Sequence, residues 1–236
     1  MCIRDSSEAK QKPGESHLLG TDVYGRDMWS RIIFGSRTTL IVALCAEILQ
    51  VVSGMLLGLL CGYYNKVEKY LMRILDAFST IPNLLLCMLM ISVCGSGVVQ
   101  MIIAMSIHGI PDVARMMRNQ VLSLREKEYI ESEQAMGASD FRTIFLHILP
   151  ACFSYLLIRF TTGLSGMILS MTSLCYLGIG IDPTVANWGG IVQDGQQLMF
   201  VIPHLVFYPA LAICITVFGF TMLGEGLRDL LDPRLR

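Results

Sequence analysis

The sequence predicts an all-α polytopic membrane protein, and three observations carry that prediction. Of the 236 residues, 53% are hydrophobic and only 16% are charged, whereas a soluble domain carries about 25% charged residues. The apolar residues are gathered into separate long runs, and the mean hydropathy is +0.58. Lysine and arginine collect in alternate connecting segments, the bias that orients multi-spanning helical proteins. A formal net charge of -1 lacks the basic excess that nucleic acid demands. Membrane lipid is therefore an expected partner and nucleic acid is not.

In chain order, residues 1–16 are polar, lack the apolar core of a signal peptide and receive no fold, an assembly scar being one reading of them. Residues 17–39 are mixed. Met28, Trp29, Ile32 and Ile33 recur near helical spacing with Arg31 between them. That pattern reads either as a short amphipathic helix on the extracytoplasmic surface, Trp29 at headgroup level, or as a loop. Five spans follow, the first over 40–63, long enough to cross a bilayer. In it Gly54, Gly58 and Gly62 fall on one face and permit close approach of a neighbouring helix.

The second span covers 81–93, or starts earlier through 71–78, with Pro82 kinking or opening it. The third covers 98–117 and is expected to be interrupted at Gly109-Ile110-Pro111-Asp112. The fourth covers 149–177 and the fifth 201–223. Residues 40–224 thus form one transmembrane domain, followed by a charged tail at 225–236.

Positive residues set the orientation. Lys66, Lys69, Arg73, Arg115, Arg118, Arg125, Lys127, Arg142 and Arg228 fall in one set of connections, whereas 95–97 and 178–200 hold no Lys or Arg. Arg26, Arg31 and Arg37 ahead of the first span weaken the asymmetry without reversing it. The loop 120–148 and the C-terminus are therefore expected in the cytoplasm. Residues 17–39 and 178–200 are expected outside the cytoplasmic membrane.

Ionisable residues at membrane depth are costly and face a cavity or a partner. Glu47, His108, Asp112 and Arg159 are of this kind. Arg159 either lines a pathway, meeting a substrate carboxylate, or pairs with Glu47 or Asp112; these three are the candidate pathway residues. His108 reads as a packing residue before a nickel ligand. The eight cysteines contain no C-x-x-C pair and read as buried thiols, so no metal site is assigned.

No catalytic site is assigned either. The sequence lacks the G-x-S-x-G of a serine hydrolase and the G-x-x-x-x-G-K-[ST] phosphate loop. A secondary transporter would need its own coupling-ion site and often shows repeated halves, and no repeat is visible. The chain is expected not to be an enzyme, and any nucleotide energy must come from a partner.

Residues 128–150, EYIESEQAMGASDFRTIFLHILP, are polar between two apolar segments. Gly137 suits the left-handed position that closes a helix, and Ser139 suits the cap of the next one. Two short helices joined at a glycine predict a docking element. This stretch resembles the EAA loop of permease subunits of binding-protein-dependent ABC importers, with their MetI-like transmembrane domain. Glu131, Gly137, Leu149 and Pro150 fall on the pattern's positions. Ser132 and Glu133 replace its two alanines, and His147 stands where the broad pattern has isoleucine.

HLLGTDVYGRDMWSRIIFGSRTTL, SLCYLGIGIDPTVANWGGIVQDG and GEGLRDLLDPRL are similar to segments of the peptide/nickel branch, so the likeness covers residues 17–236. Leu18 replaces the branch's proline. The branch also carries a sixth span ahead of the first of these segments, which this sequence lacks.

The resemblance implies a subunit that forms a pathway for oligo- or dipeptides, with nickel or a metal chelate as the alternative. It implies a homologous second permease, two ATPase subunits that use ATP and Mg, and an extracytoplasmic solute-binding protein, with no cofactor held by this chain. Glu131, Ala135, Met136, Gly137, Ala138, Ser139, Asp140 and Pro150 would then couple to the ATPase, Glu131 by capping or by pairing with a basic group. Asp182, Trp188 and Gly189 would contact the binding protein, although Trp188 suits an interfacial anchor equally well.

Overall fold

The computed structural model describes residues 10–15 and 17–231. The terminal residues Asp232, Pro233, Arg234, Leu235 and Arg236, and most of the polar N-terminus, lie outside these. Among the described residues the regular structure is helical, apart from one isolated antiparallel bridge between Thr21 and Asp27. That bridge closes a turn just before α1, Met28–Tyr63. Asp27 caps α1, its carboxylate accepting the Ser30 N–H at 2.8 Å. The helix has 36 residues, about 54 Å at the α-helical rise, so it exceeds the ~30 Å hydrocarbon thickness. The separate amphipathic helix expected within 17–39 does not exist. Its second half is the N-terminal end of α1, because the Asp27 cap starts a helix that nothing interrupts before Tyr64.

After Tyr64 come α2, Asn65–Ser79, and α3, Asn83–Cys94. They are bent by 92° across the Thr80-Ile81-Pro82 break, where proline removes a helix donor. Helix α4, Val98–Arg125, runs through Pro111 without interruption. The expected break at Gly109–Asp112 is therefore wrong. Pro111 is buried, and inside a bundle the groups freed by a proline are re-satisfied by local adjustment and neighbours.

Helix α5, Glu128–Ala135, and the short α6, Asp140–Arg142, flank Gly137. A π-helical segment, Thr143–Ile148, then leads into α7, Leu149–Tyr176. Helix α7 starts at Leu149, where the fourth span is expected, with Pro150 in its first turn, and the helical run extends back to Asp140, 37 residues in all. Leu149 N–H already bonds the Ile144 carbonyl five residues back. Pro150 thus lies where the hydrogen-bond register is changing, and its missing donor breaks no regular run. Helix α8, Trp188–Gly195, is capped by Asn187 and followed by a 3-10 turn, Gln196–Leu198; α9 is His204–Leu231.

By length and apolarity, α1, the helix 140–176 and α9 can each cross a membrane, and the bent α2–α3 pair can supply a fourth span. Helix α4 packs centrally, but it carries His108, Asp112, Arg115, Arg118 and Arg125. It is long enough to span without being uniformly apolar.

Among the described residues, α1 and α4 share the most extensive helix–helix contact. A Cβ on Gly54, Gly58 or Gly62 would lie 2.5 Å from the Cβ of Val113, Met117 or Val121 respectively. Both helices repeat every four residues here, so the glycine row of one receives the side-chain row of the other. Two apolar clusters flank a polar layer. The first includes Val42, Ala46, Met105, Leu164 and Ile168. The second includes Val51, Val113, Met117, Ile148 and Leu156. Between them in sequence on α1, α4 and α7 lie Glu47, Gln50, Gly109, Arg159 and Gly163.

Candidate functional site

The helix–glycine–helix loop has the local chemistry that its composition predicts. Helix α5 ends in a left-handed Gly137, φ +87°, and Ala138 N–H bonds back to the Glu133 carbonyl at 3.2 Å. This six-to-one bond closes the helix in a Schellman arrangement. Ser139 then accepts the Arg142 N–H with its hydroxyl and opens α6. Glu131, Ala135, Met136 and Gly137 are exposed, Met136 by 81%. Phe141 is also exposed and stacks on Phe145, ring centroids 4.6 Å apart. An open cleft of about 570 Å³, lined by Tyr129, Glu133, Met136, Arg142 and His147, separates the two arms.

Two acidic residues of the loop are tied to neighbouring elements. Glu133 is buried and lies 2.6 Å from His147 Nε2 and 3.6 Å from Arg142 Nε. The acidic replacement for the pattern's alanine therefore ties α5 to the next helix and adds little charge to the exposed face. Asp140, expected among the ATPase contacts, accepts the hydroxyls of Tyr63 at 2.9 Å and Tyr64 at 3.0 Å. Its hydrogen bond with the Tyr64 hydroxyl holds that phenol above its usual range. Asp140 thus fastens the loop to the C-terminal end of α1. Asp140→Ala is expected to release this tie. Hydrogen exchange over residues 139–146 should then quicken by roughly tenfold at most, and unchanged exchange would show that the tie adds no stability.

At membrane depth, Arg159 Nη1 donates to Glu47 Oε1 at 3.0 Å. Glu47 is fully buried and its Oε2 has no hydrogen-bond partner. A Cβ on Gly163 would collide with both charged groups, so the glycine makes room for the pair. Asp112 does not join them. It is exposed and paired with Arg115 at 2.7 Å, one turn along its own helix.

The segment 178–200 corrects another expectation. Trp188 is 3% exposed. Its indole donates to the Ile32 carbonyl at 3.0 Å, and its backbone N–H donates to Thr39 Oγ1 at 3.2 Å. Trp188 is neither an interfacial anchor nor a free contact surface; it binds α8 to α1. Gly189 is buried against Thr172 and Cys175 of α7, where only a glycine admits that approach. Asp182 keeps to its own turn, accepting Thr184 Oγ1 at 2.7 Å and Thr184 N–H at 2.8 Å, which holds its carboxyl below the usual range.

Sequence reasoning missed the four-charge network beside α8. Arg31 donates to Asp22 at 2.7 Å and to Asp194 at 2.9 Å, while Arg26 reaches the same two carboxylates at 2.6 and 3.2 Å. Asp22 also accepts the N–H groups of Tyr24 and Arg26. Proximity of Asp22, Arg26 and Arg31 in the sequence was the available signal, but Asp194 lies far along the chain.

Long apolar helices around a buried ion pair, with a helix–glycine–helix loop at one end, define the class as a polytopic membrane permease core. The chain belongs to the family described as binding-protein-dependent transport system inner membrane component, which matches residues 54–236. It is a multi-pass inner-membrane component of a transport system that works with a binding protein and an ATPase.

Among its relatives is the glutathione transport system permease protein GsiD of Pectobacterium atrosepticum. The two are 37% identical over 233 residues, 98% of this chain and 77% of that one. The oligopeptide transport system permease protein OppC of Bacillus subtilis is 37% identical over 229 residues, 97% of this chain and 75% of that one. The fold is similar to that of the MetNI methionine ABC transporter in inward-facing conformations. That match has a TM-score of 0.71 at 21% identity, over 87% of this chain and 98% of that one.

Proposed function

We propose that this chain forms part of the pathway of a peptide importer, taking oligopeptides, dipeptides or a small peptide such as glutathione. Support comes from relatives named for glutathione and oligopeptide transport, each aligned over nearly the whole chain. Those names favour peptide import over nickel import.

The single observation that carries the coupling is the exposed arm around Gly137. Glu131, Ala135 and Met136 stand outward while Glu133, Asp140 and the π segment anchor the arm to α1 and α7. A partner ATPase gripping the exposed side would move an anchored lever. In this reading two ATPase subunits bind and hydrolyse ATP with Mg²⁺, a homologous second permease completes the pathway, and an extracytoplasmic binding protein delivers the peptide. The loop and the C-terminus face the cytoplasm, in keeping with the distribution of lysine and arginine. Arg159, a quarter exposed with Glu47 as its buried counter-charge, is the proposed pathway residue.

Gly137→Pro forces φ to about −65° where the chain needs +87°, and Glu131→Lys reverses the charge on the exposed arm. Both variants are expected to insert normally yet lose most peptide uptake while the ATPase runs uncoupled. Peptide uptake and ATP turnover are read together in proteoliposomes. Wild-type uptake by both variants would sink the coupling assignment.

A further inference from the structure

Helix α2 has three unlike faces. Leu75 is buried and Leu71 and Met72 are half-buried, forming the packed side. Val67, Tyr70, Ile74 and Phe78 form a second stripe at helical spacing, exposed by 37%, 67%, 55% and 42%. Lys66, Lys69 and Arg73 are exposed on a third face. The two acidic residues of α2 are already matched by α4. Glu68 accepts from Arg118, and Asp76 accepts from Arg115 at 2.6 Å. Among the described residues, Lys66, Lys69 and Arg73 have no acidic partner. The helix therefore presents three unpaired cations beside an uncovered apolar stripe.

Its placement fits a membrane surface. Helix α3 is apolar and α2 leaves it at 92°, so α2 lies along the bilayer plane when α3 points into the hydrocarbon. From Val98 to Arg115, the α4 partner of α2, is about 26 Å of helix, close to the hydrocarbon thickness. Tyr64 and Tyr70 are exposed at this level, where aromatic rings with polar tips favour the interface.

We propose that α2 is an interfacial helix that recognises anionic lipid headgroups. Val67, Tyr70, Ile74 and Phe78 enter the acyl boundary while Lys66, Lys69 and Arg73 bind the phosphates. Anionic lipid is favoured over a protein partner because the stripe is bordered by cations alone once Glu68 and Asp76 are neutralised. The inference is independent of ATPase coupling and holds whichever way the chain faces.

The test places a tryptophan on the stripe by Tyr70→Trp in the full chain. Quenching is read against the parent in bilayers with brominated phosphatidylglycerol or brominated phosphatidylcholine. The added indole should be quenched by both lipids, and about twofold or more better by the anionic one. The combined Lys66→Gln, Lys69→Gln and Arg73→Gln variant should keep the quenching and lose the preference. These three changes leave the packed face untouched, and Ile74→Trp repeats the test if Tyr70→Trp lowers the yield. An unquenched indole at both positions would mean that water or protein covers the stripe. Equal quenching by the two lipids, or a preference that survives the triple change, would remove anionic recognition.

Discussion

Gly58→Leu is expected to prevent α1 and α4 from closing and to remove folded protein from the membrane. A Cβ there would stand 2.5 Å from Met117 Cβ and 2.6 Å from the Ala114 carbonyl oxygen. The first obstacle is the root of a side chain and the second is backbone, so rotamer changes relieve neither. Overpacking a core costs about 1–3 kcal/mol where neighbours can shift. Here Gly54 and Gly62 meet Val113 and Val121 on the same ridge, so separating the helices at one glycine loosens all three contacts. The measurement is the yield of monodisperse protein in detergent and its melting temperature. Gly58→Ala should lower both, and Gly58→Leu should do so far more. Met117→Gly should not rescue the variants, because the Ala114 carbonyl stays in place. A Gly58→Leu protein with wild-type yield and melting temperature would show that this helix contact is looser than described.

Arg159→Ala is expected to have the next largest effect, a loss of roughly 3–5 kcal/mol. The reason is the residue left behind. Glu47 is fully buried with one oxygen already lacking a partner, so removing Arg159 strands a carboxylate in an apolar core. Glu47→Gln combined with Arg159→Met removes both charges and should be markedly more stable than Arg159→Ala. Melting temperatures of Glu47→Gln, Arg159→Met, their combination and the wild type form a double-mutant cycle. Equal destabilisation in the single and double variants would mean that packing, rather than the ion pair, dominates at this layer. The cycle also bears on transport. If Arg159 receives a substrate carboxylate, the double variant should regain stability while uptake stays low.

Several features were legible in sequence because their physics is local. The stop at Gly137 and the start at Ser139 depend on residues within one turn of each other. The four-residue glycine repeat marks a close-packing face from its spacing alone. Even so, the repeat did not say that Val113, Met117 and Val121 would fill it. The expected break at Pro111 failed because a proline rule assumes an isolated helix, whereas burial keeps α4 continuous. The fourth span starts at Leu149 as expected, but the π segment ahead of it has no local signature in the sequence.

Glu133 and Asp140 show the same limit within the coupling loop. Each reads as an exposed charge on a polar stretch, yet one turns to His147 and Arg142 and the other to Tyr63 and Tyr64. Trp188 reads as an anchor or contact residue, but its indole donor is taken by a carbonyl 156 positions away.

The sequence by itself determined the membrane class, the order of apolar segments and the helix–glycine–helix loop. Those follow from hydropathy, charge distribution and backbone preference, which act over a few residues. Only the tertiary structure decided which charges remain free. It joined Glu47 to Arg159 and gathered Asp22, Arg26, Arg31 and Asp194. It also turned the acids of α2 toward α4, leaving three cations outward. Pairing of buried charges is set by which helix faces meet, and that is fixed by packing across distances no local pattern records.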